Sequence, residues 1–336
     1  MENEAKVATA TKSEPVEVAP APAPDGAIGA ELTANEDVAL VNKEEVKEPE
    51  PETKPVAPAS TGPSFQITFP GEERSFIKIQ IYGEYGTGKT TLAGTAQDVT
   101  DMQNVINIDA EGGNKVLANR GDIPSVTVRD YDTFSNVYEY LRAHCLFRDN
   151  NDVENLKLSE AHFRNIDAGT IKQPRIYNTV IIDSLSEVAR YCMYKLMGVN
   201  IETTKLSEIP LRPEYAEWNS RQEMILLLVR KFRDLPMHVI FVCSRQWDKD
   251  EFNRRFYAPN IQGKLGNEIQ GFMDHVGYYT LETDPETKET HRYLILQPGN
   301  TYQAKSRFVN FKDSYLVDPI FQDIYELERA NNNNSK

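Results

Sequence analysis

Eight consecutive residues, Gly83-Glu84-Tyr85-Gly86-Thr87-Gly88-Lys89-Thr90, set glycines, a lysine and a hydroxyl at the spacing that cradles phosphates. The glycines let the main chain curl so that successive N–H groups point inward. The helix that follows adds the positive end of its dipole. Lys89 is placed to reach the β and γ phosphates of a nucleoside triphosphate, and Thr91 is counted with the loop as nucleotide-binding. The Thr90 hydroxyl suits Mg²⁺, which keeps several waters and takes few protein ligands. The alternative, a chance glycine-rich turn, requires the flanks to be wrong. They are right: an apolar run precedes the loop and an amphipathic stretch follows it.

Further carboxylates and cations complete a candidate centre. Asp183 ends the apolar run Val180-Ile181-Ile182, which would lift its carboxylate to a sheet edge to hold a Mg²⁺-bound water. Glu111 stands just past a second apolar run, where it would polarise an attacking water; a general base of this kind contributes ~10² to 10⁴-fold. A helix-capping role beside Asn114 is the alternative for Glu111, and Asp109 is the competing carboxylate. Lys305 and Arg307 straddle Ser306, so an extended segment points both to one face. They are read either as a basic pair that enters a neighbouring subunit's nucleotide site or as solvated cations that blunt an edge strand. Residues 244–266 interleave Arg245, Lys249, Arg254, Arg255 and Lys264 with Trp247, Phe252, Phe256 and Tyr257. Basic grooves with aromatic platforms bind single strands. Asp248, Asp250 and Glu251 weaken that field, and a hairpin or lid with ordinary surface charge is the competing reading.

These side chains need a scaffold. After Pro63, strand-like runs at 76–82, 104–109, 125–128, 178–183 and 238–243 alternate with helical patterns at 131–147, 186–197 and 213–235, which predicts an α/β fold with a mostly parallel sheet flanked by helices. The last of these helices is expected to bury a stripe through Trp218, Met224, Leu227 and Leu228. Residues 148–176 are polar and read as a surface insertion. The runs 275–281 and 292–296 flank Thr283-Asp284-Pro285-Glu286-Thr287-Lys288 and predict a C-terminal antiparallel hairpin.

Residues 1–62 differ in kind from the rest. They hold 13 acidic against 5 basic residues, eight of the 19 prolines and no aromatic residue, so they carry −8 of the net −14. Such a segment cannot bury enough apolar surface to offset its ordering entropy, and it reads as a disordered acidic Pro/Ala-rich arm. The ATPase-like body spans 63–330, and 331–336 read as a frayed tail. Cys145, Cys192 and Cys243 are widely spaced in apolar contexts, which suits buried thiols of a reducing compartment. No run approaches the roughly 18 apolar residues of a membrane span, so no membrane partner and a cytoplasmic setting are expected.

The phosphate loop, Ile108-Asp109-Ala110-Glu111 and Val180-Ile181-Ile182-Asp183-Ser184 together resemble the RecA-type ATPase core. The resemblance is to small phage-encoded RecA-like proteins with an AAA domain, of the single-strand annealing or recombination-mediator group. Segments 235–241, 259–264 and 302–307 share in it, and it covers roughly 74–312. It implies a RecA-like P-loop fold with a sensor strand between the phosphate-loop and Asp183 strands. It also implies an ATPase using ATP and Mg²⁺ with Glu111 as water activator, and Lys305 and Arg307 acting across subunits of a homo-oligomeric ring or filament. Where RecA ends its sensor strand with glutamine, this chain has Ser244, with Gln246 two residues on. The implied role is single-stranded-DNA-dependent ATP hydrolysis in phage recombination, annealing or replication, in the bacterial host cytoplasm. The second reading is a nucleotide-gated loader, its acidic arm recruiting a replication or single-strand-binding protein. A metabolic kinase would need an acceptor pocket for which the sequence carries no signature.

Overall fold

In a computed structural model of the chain, the described residues are 75–209, 212–261, 265–308, 311 and 313–333. The expected acidic arm and Lys264 lie outside them. Strand β1 (Lys78–Gly83) leads through the phosphate loop into a short helix α1 (Lys89–Gly94), followed by β2 (Val105–Asp109) and β3 (Ser125–Thr127). Two helices, α2 (Tyr131–Asp149) and α3 (Val153–Arg164), precede β4 (Thr179–Asp183). Next come α4 (Leu185–Leu196), α5 (Tyr215–Arg233), a long β5 (His238–Lys249) and β6 (Arg255–Pro259). The chain closes with α6 (Leu265–Phe272), β7 (His275–Thr283), β8 (Thr290–Ile295), β9 (Tyr315–Val317) and α7 (Phe321–Asn333).

The strands form one sheet in the order β3-β2-β4-β5-β1-β7-β8-β9, with β6 paired to β5 off this path. From β3 to β7 all neighbours are parallel, and β7-β8-β9 is antiparallel. The expected α/β architecture is therefore present: a mostly parallel sheet flanked by helices, with antiparallel C-terminal strands. The strand between those of the phosphate loop and Asp183 is β5. Both outermost strands, β3 and β9, are three residues long.

Parallel strands buried on both faces read as continuous apolar runs, and here alternate residues feed two cores. Val239, Phe241 and Cys243 of β5 face a core with Phe134 of α2, Val188 of α4 and Phe232 of α5. Ile240 and Val242 face the opposite core, with Leu92 of α1 and Phe321 of α7. The three cysteines are free and buried, and burial pushes the Cys243 thiol up to about 12, a setting for inert thiols.

Three expectations are corrected or refined. The buried face of α5 runs through Arg221, Ile225, Leu228, Val229 and Phe232, while Leu227 is 54% and Trp218 38% exposed. Of the expected stripe, Leu228 is buried and Met224 packs against the core, whereas Trp218 and Leu227 lie outside it; Arg221 takes a core-facing position, its Nε donating to the Ala189 carbonyl at 2.8 Å. Residues 148–176 contain α3, which buries Leu156, Ala161 and the Glu160 carboxylate, bonded to Arg164 and to the Arg175 N–H. At the far end α7 continues through Asn333, three residues into the span expected to fray.

Candidate functional site

The phosphate loop forms where β1 leaves the sheet. Gly83 pairs with both β5 and β7, and a Cβ there would lie 2.1 Å from the Tyr279 carbonyl oxygen, so only glycine lets the strands approach. Gly88, at φ +95°, caps α1 in the left-handed region that glycine enters without cost. The Thr87 hydroxyl donates to the Glu84 carbonyl at 3.0 Å, closing the turn. Lys89 folds back over it, its Nζ donating to the carbonyls of Glu84 (2.7 Å) and Gly83 (3.2 Å). Burial lowers the Lys89 pKa, while the Asp183 and Glu111 carboxylates oppose that shift.

Asp183 ends β4 as expected, and its Oδ2 accepts from the Thr90 hydroxyl at 2.5 Å. Burial raises its pKa to about 6, against the lowering bond from Thr90. The two are oxygen donors, and among the described residues no cluster of three or more His, Cys, Asp or Glu is built to hold a metal. That set fits Mg²⁺, which binds through few protein oxygens, and does not fit a zinc centre.

Asp109 and Asp183 stand opposite each other in the β2-β4 register. The peptide bond between Asp183 and Ser184 is cis. Asp109 is buried and accepts the N–H groups of Gly112 and Gly113 at 2.9 Å, shaping the loop after β2. Glu111 is exposed, and its Oε1 accepts from the Ser184 hydroxyl at the start of α4. The structure thus gathers Lys89, Thr90, Asp183 and Glu111 at the carboxyl ends of β1, β2 and β4, the crevice where open α/β sheets bind ligands.

The other cations are placed differently. Lys305 lies beside Val276, at the opposite end of the strands, where its Nζ donates to the carbonyls of Gln270, Gly271 and Met273 at 2.9 to 3.3 Å and closes the end of α6. Arg307 pairs with Asp274 at 2.9 Å. Residues 245–259 form a hairpin of the far half of β5 with β6. On it Trp247 is 57% exposed and packs at a tilt against Tyr257, Arg254 pairs with Asp250 at 2.6 Å, and Arg255 faces Lys249 in the register. Arg245 instead turns to the phosphate loop and bonds the Glu84 carboxylate.

Two arginines were not singled out for this role by sequence. Arg245 is one. Arg292 of β8 is the other; its Nε donates to the Thr87 carbonyl at 3.3 Å, beside a cavity of about 290 Å³ between α1, Tyr279 and residues 318–320. Only the pairing of distant strands brings either to the loop.

Among solved structures the chain is similar to the flagellar accessory protein FlaH from Methanocaldococcus jannaschii (10% identity, 72% of this chain and 85% of that one, TM-score 0.30). It is similar to the RadB recombinase (18%, 72% and 86%, TM-score 0.33) and to the KaiC-like protein PH0186 from Pyrococcus horikoshii OT3 (14%, 73% and 92%, TM-score 0.35). No curated protein sequence matches it. Residues 75–308, which contain the phosphate loop and every strand from β1 to β8, match the family described as an AAA domain, and the chain belongs to that family.

Proposed function

We propose that this P-loop ATPase domain binds Mg²⁺ and ATP in the crevice at the ends of β1, β2 and β4, hydrolyses the γ-phosphate bond, and couples turnover to single-stranded DNA. The observation that carries the reading is the Thr90–Asp183 bond at 2.5 Å beside Lys89. It joins the loop of one strand to the carboxylate of another in the arrangement P-loop enzymes use for the metal. Thr90 and Asp183 would hold Mg²⁺, which neutralises charge on the phosphate oxygens. Lys89 exchanges its two loop carbonyls for phosphate oxygens, and Glu111 orients the water and takes its proton. The cavity beside Arg292, with Tyr279 and Leu92 in its wall, receives the sugar and base.

The DNA-linked part rests on the exposed Trp247 and the Arg254 and Arg255 side chains of the hairpin, with the resemblance to recombination and annealing proteins of phages. Oligomerisation into a ring or filament would line up these small patches along one strand and raise their effective concentration. Steady-state ATP turnover with and without single-stranded DNA, beside Lys89→Ala, tests the proposal. Turnover that rises with DNA and vanishes in the variant is the expected result. A nucleotide-gated loader predicts instead ATP turnover with no salt-dependent binding of an oligonucleotide by fluorescence anisotropy.

A further inference from the structure

We propose that Arg245 is this chain's own contact for the terminal phosphate, held off by Glu84 until a triphosphate arrives. The proposal rests on the nucleotide reading above and adds to it a residue and a resting partner. Its first ground is register. Gly83 of β1 lies opposite Ser244 of β5, so Glu84 and Arg245 are the next residues along two adjacent strands. With β5 seated between β1 and β4, Arg245 emerges at the crevice between the phosphate loop and Asp183. Alternation then divides the labour. Ser244 is buried, and its hydroxyl meets that of Ser186 at 3.3 Å and accepts from the Asn260 side-chain amide at 3.1 Å, whereas Arg245 turns the other way, to the loop.

The second ground is what Glu84 holds. Its carbonyl accepts from Lys89 Nζ at 2.7 Å and its carboxylate from Arg245, so one loop residue occupies two of the cations at the phosphate loop. The Glu84 side chain is 52% exposed. An ion pair at that exposure holds weakly, whereas a terminal phosphate offers several anionic oxygens to the planar guanidinium fork. A triphosphate therefore displaces Glu84 from Arg245, and a diphosphate, lacking the third phosphoryl group, does not.

The third ground is what Arg245 touches on its other side. Its guanidinium carbon lies 4.1 Å from the centre of the Tyr257 ring, and the Tyr257 and Trp247 rings pack at a tilt with centres 3.9 Å apart. The main chain of Tyr257 is anchored, accepting from Tyr82 Oη at 3.2 Å and from the Gln303 N–H at 3.0 Å. A shift of Arg245 is thus felt at the rings of the hairpin.

Trp218 and Trp247 are the only tryptophans, so a Trp218→Phe background makes Trp247 emission the probe, titrated with Mg²⁺ and either ATPγS or ADP. The expected result is an emission change with ATPγS that ADP does not produce. Arg245→Ala should abolish that difference and weaken ATPγS by about tenfold, towards the affinity for ADP. Glu84→Gln should move the nucleotide-free emission towards the ATPγS value, a result that does not depend on the alanine variant folding. Retention by Arg245→Ala of both the emission change and the preference for ATPγS would overturn the proposal. So would an unaltered nucleotide-free emission in Glu84→Gln. Failure of either nucleotide to bind the unaltered chain would instead remove the nucleotide reading itself, while binding of both with identical emission removes only the Arg245 assignment.

Discussion

Asp109 and Glu111 stand two residues apart at the end of one strand, yet the fold gives them different work. The Asp109 carboxylate is turned inward to hold two loop N–H groups, and its Oδ2 is buried without a hydrogen-bond partner among the described residues. A carboxylate so held shapes the loop after β2. Glu111 keeps its carboxylate exposed, accepting from the Ser184 hydroxyl. Glu111→Gln is therefore expected to reduce ATP turnover by ~10² to 10⁴-fold while ATP binding persists, measured by single-turnover hydrolysis beside equilibrium titration; full turnover in the variant would return the role to another group. Lys89, Thr90 and Asp183 were legible because each is fixed by its own short segment. Arg292 and Arg245 were not, since they meet the loop from 205 and 161 residues away in the chain.

At the scale of elements, the strands were the most legible part, because burial on both faces of a parallel sheet leaves continuous apolar runs that sequence shows directly. Helix phase was harder. In α5 the expected stripe holds at Met224 and Leu228 but not at Trp218 and Leu227, and the buried Arg221, satisfied by the Ala189 carbonyl, is a core position that an apolar pattern does not show. In α6 a charge acquires a structural role, since the Lys305 ammonium meets three carbonyls at the helix C-terminal end, where cations are favoured by the helix dipole. Lys305→Ala is expected to cost ~1 kcal/mol of stability, read by urea denaturation. Loss of turnover at unchanged stability would instead assign Lys305 to a neighbouring subunit's nucleotide site.

Across the whole molecule, stability at acid pH should report the core beneath α2. His144 is buried, its Nε2 accepts the Tyr177 N–H at 3.1 Å, and burial followed by the nearby Arg148 charge lowers its pKa to about 4, with Glu160 and Asp149 opposing. A histidine depressed in the folded state stabilises the fold above its unfolded pKa near 6.5, and that contribution is lost as pH falls through 6.5 towards 4. His144→Gln, which keeps an acceptor for Tyr177, should flatten the decline in Tm over that window, a difference on the order of 3 kcal/mol at its lower end; parallel pH curves for the two proteins would show that other groups set the decline. The same molecule-wide view bears on how copies can meet. With β3 and β9 each spanning three residues, a second copy laid against either rim would gain only a brief ladder of main-chain bonds. Growth by extending the sheet at these two rims is thereby discouraged, which leaves loops, helical faces and the β5–β6 hairpin as the surfaces a second copy would meet.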